Sequence, residues 1–316
     1  MMDWTDRHCR FFLRLITRRA RLYTEMITSA ALVHGDLPHH LDFDPAEHPI
    51  ALQLGGSDPA VLAHGAKLGE RWGYDEINLN CGCPSERVQK GSYGACLMAE
   101  PALVADGVKA MRDAVAVPIT VKHRIGLDHD ESYGFVRDFV GAVAAAGCEV
   151  FFVHARNAVL KGLSPKENRE VPPLRHDVVH RLKREFPALT IVGNGGLTTW
   201  DAIESELAAV DGVMLGRAAY HDPWLLAEAD ARVFGETPTV RTRAEVIHAL
   251  VSYAARQQSQ GVLLRAIARH VLGLYHGCPG GRHFRRILSD AAKLRDAGPG
   301  LFLEAMAAVE PVAQAA

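Results

Sequence analysis

No apolar run in this 316-residue chain approaches the roughly 18 residues that a membrane span needs, so a membrane-spanning helix is not expected. Six cysteines, at positions 9, 81, 83, 96, 148 and 278, do not make a disulfide framework in a chain of this length, and a reducing cytoplasm fits best. The opening residues, MMDWTDRHCRFFLRL, place acid and base ahead of any apolar stretch, unlike a secretory signal. There is no low-complexity tract and no repeat beyond a βα periodicity. No second thiol pair accompanies Cys81 and Cys83 to complete a four-ligand zinc site. Neither a metal nor an obligate protein partner is expected.

What is present is a chain able to bury a sizeable core: 48% of residues are hydrophobic and 23% charged. The net charge of −2 hides an asymmetry. Residues 1–240 carry 25 basic against 32 acidic side chains, and residues 241–316 carry 10 against 5. Within 265–295 seven basic residues, among them Arg282, Arg285 and Arg286, face a single acid, Asp290. A solvated helix face normally mixes both signs, so this segment points to an anionic partner.

From residue 20 to 220, short apolar runs alternate with amphipathic stretches. The runs are Leu22–Ile27, Ile50–Leu54, Glu76–Cys81, Ile119–Arg124, Glu149–His154, Thr190–Gly193 and Gly212–Leu215. Helical patterns such as Pro59–Trp72, Pro101–Val115 and Tyr133–Ala146 lie between them. This is the pattern of βα units around a parallel sheet. A closed (β/α)8 TIM barrel needs one strand more than these seven, and the free slot is at the start. On this reading Met1–Arg7 is the loop after a first strand missing from the chain, followed by a helix over Asp6–Arg18. A doubly wound open sheet is the alternative, though no GxGxxG follows its first strand. After Pro238 only helical spacing remains, with breaks at Gln260-Gly261, Gly277–Gly281 and Ala297–Gly300. The expected organisation is a barrel over 1–238 and a four-helix domain over 239–316.

In such barrels chemistry gathers at the C-terminal ends of strands. Polar groups end nearly every run, and few are expected inside one. Gly195-Gly196 and Gly216-Arg217 follow the last two strands, where backbone N–H groups and a guanidinium suit a phosphate. Gln53 offers a donor and an acceptor to the edge of a flavin or a base. Lys122 ends an apolar run; a carboxylate partner would satisfy it, and a reduced flavin's negative charge would use it. His154 ends a strand on the same rim. Cys81 reads as a small buried hydrophobe. Cys83 lies in a Gly-Cys-Pro turn. A free thiol, with a pKa of about 8.5, keeps its proton near neutral pH. Cys83 is therefore read as a general acid, in preference to a nucleophile.

These residues resemble the tRNA-dihydrouridine synthase family. The similarity is carried by MMDWTD (1–6), LQLGG (52–56), NLNCGCPS (78–85), TVKHRIG (120–126) and VHARN (153–157), and runs from residue 1 to about residue 310. LSPKENREVPPL (163–174) and RHVLGLYHG (269–277) further resemble the A-type branch. The resemblance implies a cytoplasmic flavoenzyme that reduces the C5=C6 bond of uridine in the tRNA D-loop, at positions 20 and 20a, with FMN re-reduced by NADPH. It implies that Cys83 protonates C5 while hydride passes from flavin N5 to C6, and that Asn80, Lys122 and His154 surround the uracil and the flavin ring. Gln53, Asn194, Gly195, Gly196, Gly216 and Arg217 resemble the FMN-binding set. Met1 and Met2 match a flavin-contacting segment that the family precedes with a proline and a strand. On this reading Asn80, Lys166, Arg169, Arg282, Arg285 and Arg286 hold the tRNA, because a uridine drawn from its stack costs a few kcal/mol that phosphate contacts offset. Two rivals remain: an FMN barrel dehydrogenase of a free pyrimidine-like molecule, and a tRNA-binding protein without catalysis.

Overall fold

The computed structural model describes residues 1–309. Seven strands form one sheet: β1 Leu22–Thr28, β2 Ile50–Gly55, β3 Glu76–Cys81, β4 Ile119–Arg124, β5 Val150–His154, β6 Thr190–Asn194 and β7 Gly212–Met214. They lie side by side in chain order, and β2 through β7 pair in parallel. A doubly wound sheet reverses strand order at a switch point, so the unbroken order excludes it. The fold is a TIM-like curled parallel sheet with helices between strands, and among the described residues it has seven strands, with β1 and β7 as its edges.

Local chemistry explains the boundaries. Asp58 accepts from the backbone N–H groups of Ala60 and Val61 and, with Pro59 in the first turn, starts helix Pro59–Arg71. Ser132 caps Tyr133–Ala145 in the same way through Phe135 N–H. One face of these strands is apolar, as a sheet face covered by helices requires; Leu52, Leu54, Ile77, Leu79 and Val121 lie in register on it and are fully buried.

Contacts divide the chain into two compact units. One comprises Tyr23–Asp42 and Ile50–Gly216, and so holds the sheet. The other comprises Met1–Leu22, Phe43–Pro49 and the chain from Arg217 onward. This cuts the chain differently from the compositional break at Pro238, because the N-terminal segment packs with the C-terminal helices. Phe11 stacks on Tyr253 with ring centroids 3.8 Å apart, Asp6 accepts from Arg269, and Thr17 donates to Asp230. The helix expected over Asp6–Arg18 is shorter, Arg7–Arg14, since Asp6 is its cap and the Arg14 guanidinium takes the Thr17 and Ala20 carbonyls just beyond its end.

Four helices of the C-terminal segment fall where their apolar spacing placed them: Arg243–Ser259, Leu264–Val271, Gly281–Ser289 and Leu301–Ala307. A fifth, Ala291–Asp296, separates from the third because Asp290 leaves the helical conformation and caps the new turn through Ala292 and Lys293.

Candidate active site

In a strand, successive side chains point to opposite faces, so register decides which residues meet. Gln53 pairs with Asn78, Asn78 with Thr120, Asn80 with Lys122, Arg124 with His154, and His154 with Asn194. All of these therefore share one face of the sheet. Cys81 pairs with His123 on the opposite face. There burial raises the Cys81 thiol and lowers the His123 imidazole to about 4, so both are neutral packing groups.

The shared face carries a directed chain of hydrogen bonds. Glu76 Oε1 accepts from the Tyr23 hydroxyl at 2.9 Å and from Thr120 Oγ1 at 2.7 Å. Thr120 Oγ1 accepts from Asn78 Nδ2 at 2.8 Å, and Asn78 Oδ1 accepts from Gln53 Nε2 at 2.9 Å. Gln53 Oε1 accepts from Asn80 Nδ2 at 2.9 Å. Asn80 Oδ1 then accepts two backbone N–H groups, Gly82 at 3.0 Å and Cys83 at 2.9 Å. Each amide's orientation is set by the one before it, and the last aims the turn that bears Cys83.

Two further side chains hold that turn. Arg124, buried at the end of β4, donates to the Gly82 carbonyl at 3.0 Å and to the Asn157 and Asn168 carbonyls at 2.9 and 2.7 Å. Gln89 donates to the Pro84 and Leu160 carbonyls. Cys83 is half-buried, and its Sγ lies 3.7 Å from Ser85 Oγ. The backbone of the turn is thus held from three sides while its thiol is half-buried.

Lys122 and Arg124 make the surroundings cationic. Lys122, half-buried, donates to Asn194 Oδ1 at 3.2 Å, and Asn194 Nδ2 donates to the Met214 carbonyl at 2.7 Å. Burial, reinforced by Arg124 and opposed by Cys83, lowers the Lys122 ammonium to about 8. Burial also lowers Arg124 to about 10; Cys83 opposes the shift, and Arg169 and Arg156 add to it. The oxygens to which Lys122 and Arg124 donate here are neutral, an arrangement that favours an electron-rich or anionic guest.

Beyond Asn194 the chain turns through Gly195 (φ 120°) and Gly196 (φ 70°), conformations that a side chain rarely tolerates. A Cβ on Gly195 would fall 2.9 Å from Leu174 Cδ2 and 3.0 Å from His154 Cδ2. This tight turn, next to an ammonium held by an amide, has the backbone donors and the cation that an anionic, phosphate-bearing group asks for.

The unit that holds the sheet thus contains Gln53, Asn80, Cys83, Lys122, His154, Asn194, Gly195, Gly196 and Gly216, with Lys166 and Arg169 in the exposed loop after β5. Arg217, opening helix Arg217–His221, belongs to the other unit, as do the exposed Met1 and Met2 and the exposed Arg282, Arg285 and Arg286. Asn80, expected to face the RNA, has both ends of its amide engaged by Gln53 and the cysteine turn. Gln53, expected at a flavin edge, is buried with its amide shared between Asn78 and Asn80.

The expectation that few polar groups sit inside strands does not hold. Glu76, Asn78 and Thr120 are buried within their strands. They and Arg124 are what the linear reading missed as a network. A signal was available: Glu76, Asn78 and Asn80 recur at every second position, which in a strand is one face.

The description "Dihydrouridine synthase (Dus)" belongs to the family model that matches residues 1–311. A Xanthomonas campestris pv. campestris protein named tRNA-dihydrouridine(20/20a) synthase is 57% identical over 298 residues, covering 94% of this chain and 88% of the relative. Proteins of the same name from Pseudomonas putida and Yersinia pestis are 58% and 54% identical, covering 92% and 98% of this chain and 86% and 90% of theirs. Among solved structures, a 2-naphthoyl-CoA reductase in complex with 2-naphthoyl-CoA superposes with a TM-score of 0.53 at 11% identity, over 71% of this chain and 46% of that one, a likeness of fold alone.

Proposed function

The chain belongs to the dihydrouridine synthase family, and from that premise we propose that it reduces the C5=C6 bond of uridines in the D-loop of tRNA, at positions 20 and 20a. It is an oxidoreductase acting on a CH–CH bond, and uridine in tRNA is its substrate. The cytoplasm, where tRNA is at hand, is its place of action. When bound, FMN supplies the hydride to C6 and NADPH renews it.

The residues of the chain supply the rest. Cys83 gives its proton to C5 as C6 receives hydride, so the thiol leaves as thiolate and both carbons become sp³. Developing negative charge on the pyrimidine is met by Lys122 and Arg124, in a setting where a cation is worth more than in water. Asn80, Arg124 and Gln89 hold the turn that carries Cys83, so the proton donor needs no reorganisation during the step. Lys122, Asn194, Gly195 and Gly196 would hold FMN, joined by His154 and Gly216 on the family pattern. Lys166, Arg169, Arg282, Arg285 and Arg286 would carry tRNA phosphates.

The observation that carries this reading is the hydrogen-bond chain that ends on the Cys83 amide. Cys83→Ala tests it. tRNA binding should survive while dihydrouridine formation, read by mass spectrometry of digested tRNA, falls by orders of magnitude. A variant that keeps the full rate would refute the acid assignment.

A further inference from the structure

Helix His176–Glu185 presents His176 and His180, four residues apart and so on one helix face, toward Glu206 of helix Trp200–Leu207. His176 Nδ1 lies 3.0 Å and His180 Nε2 2.9 Å from the same carboxylate oxygen, Glu206 Oε2. The Glu206 side chain is 3% exposed. Its carboxylate fills the space that a Cβ on Gly193 would need, so the glycine of β6 makes room for it. One ligand atom from each residue lies within 4.8 Å of the other two.

The hydrogen bonding fixes the chemistry of these atoms. His176 Nε2 lies 2.9 Å from the Gly195 carbonyl, which can only accept, so the N–H of a neutral His176 is at Nε2. Its Nδ1 lone pair then faces a carboxylate, and Nδ1 is buried with no hydrogen bond of its own. The other carboxylate oxygen, Glu206 Oε1, is also buried and makes none. A protonated His176 would answer for Nδ1 and leave Oε1 orphaned. A cation held by Nδ1, by His180 Nε2 and by the carboxylate in bidentate fashion answers for both. An imidazole whose second nitrogen donates to a backbone carbonyl while the first is free is the arrangement that metal-binding histidines take.

From this geometry we propose that His176, His180 and Glu206 form a binding site for one divalent transition-metal ion of the zinc class. Two imidazoles and one carboxylate suit such an ion, whose bonds of about 2.0–2.2 Å ask the three side chains to adjust by roughly an ångström or less. The ion's place is structural: by fixing His176 it holds the Gly195 carbonyl at the base of the Gly195-Gly196 turn. The site stands on its own residues, whatever that turn binds. The linear sequence carried only a weak trace of it, the His176-x-x-x-His180 spacing, because Glu206 arrives from the next helix.

The test uses the full chain, stripped with a chelator and dialysed against zinc(II) at micromolar free concentration. About one equivalent should be retained, and His180→Ala should weaken binding at least tenfold. His180→Gln, which keeps a donor for Glu206, serves as a second variant that preserves the packing. Cobalt(II) in place of zinc should give a spectrum without thiolate charge transfer, which separates this site from the six cysteines. A wild-type chain that holds no zinc overturns the proposal. So does zinc binding that is equal in wild type and both histidine variants, or a cobalt spectrum dominated by thiolate.

Discussion

Lys122 occupies its strand at a cost. Its ammonium titrates at about 8 in the fold against an ordinary 10.5, a shift worth at most about 3 kcal/mol and less once its partial exposure is counted. Between those values the unfolded chain holds more protons than the folded one, so folding stability rises with pH across the window from about 8 to about 10.5, and the penalty is fully present below pH 8. Lys122→Met should therefore melt higher than wild type at pH 7 in the flavin-free protein, with the advantage shrinking as pH climbs through that window. The same variant should lose FMN retention. Equal melting curves at every pH would show that Lys122 carries no such strain. Asn80 makes a different prediction. Asn80→Ala leaves the Gly82 and Cys83 N–H groups and Gln53 Oε1 without their partner, each at about 1–3 kcal/mol where buried. Dihydrouridine formation should drop about 10- to 100-fold while tRNA affinity, measured by filter binding, stays within about twofold. A matching loss of affinity would instead place Asn80 on the RNA. At this scale residue types were legible and their partners were not. Lys122 at the end of an apolar strand announced itself, whereas the amide relay behind Cys83 depended on register between residues 25 and 42 positions apart in the chain.

Helices and strands keep the limits that their sequence periodicity predicts where that periodicity is strong. Glu76–Cys81 and Ile119–Arg124 have the same limits in sequence and structure, because apolar runs bounded by turns leave little freedom. Boundaries drifted where a single polar side chain intervened, as at Asp290, which splits one expected helix into two. The helix Arg7–Arg14 shows what sequence spacing could not supply. Its Arg10 Nε meets Glu47 Oε2 at 2.6 Å, both side chains being almost wholly buried, and burial raises the Glu47 carboxyl against the opposing pull of Arg10. Breaking a buried pair by removing one partner strands the other charge. Glu47→Ala should destabilise the protein by about 3–5 kcal/mol in urea unfolding, and a loss below about 1 kcal/mol would mean that water reaches Arg10.

Over the whole molecule, charge is the property most visible from composition. Arg282, Arg285 and Arg286 lie on one exposed helix, Gly281–Ser289, whose opposite face buries Phe284, Ile287 and Leu288. No ion-pair partner for these three arginines is found among the described residues. If they meet tRNA phosphates, reversing all three to Glu should leave reduction of the flavin by NADPH intact and abolish activity on tRNA. The slope of log affinity for tRNA against log salt concentration should flatten by roughly 0.7–0.9 for each phosphate that the helix ceases to neutralise. Unchanged tRNA activity would remove this helix from the RNA interface. The parallel βα architecture, the strand ends that bear Cys83, Lys122 and the glycine pairs, and the basic surplus after residue 240 are all legible in the linear chain. Each of these depends on local periodicity, turn chemistry or composition, which neighbouring residues specify. Only the folded chain brings Asn80 to Gln53, gathers three loop carbonyls on Arg124, converges His176, His180 and Glu206, and joins the N-terminal helix to the C-terminal unit. Those meetings join segments far apart in the chain, and their geometry exists only after strand register and helix packing have been set.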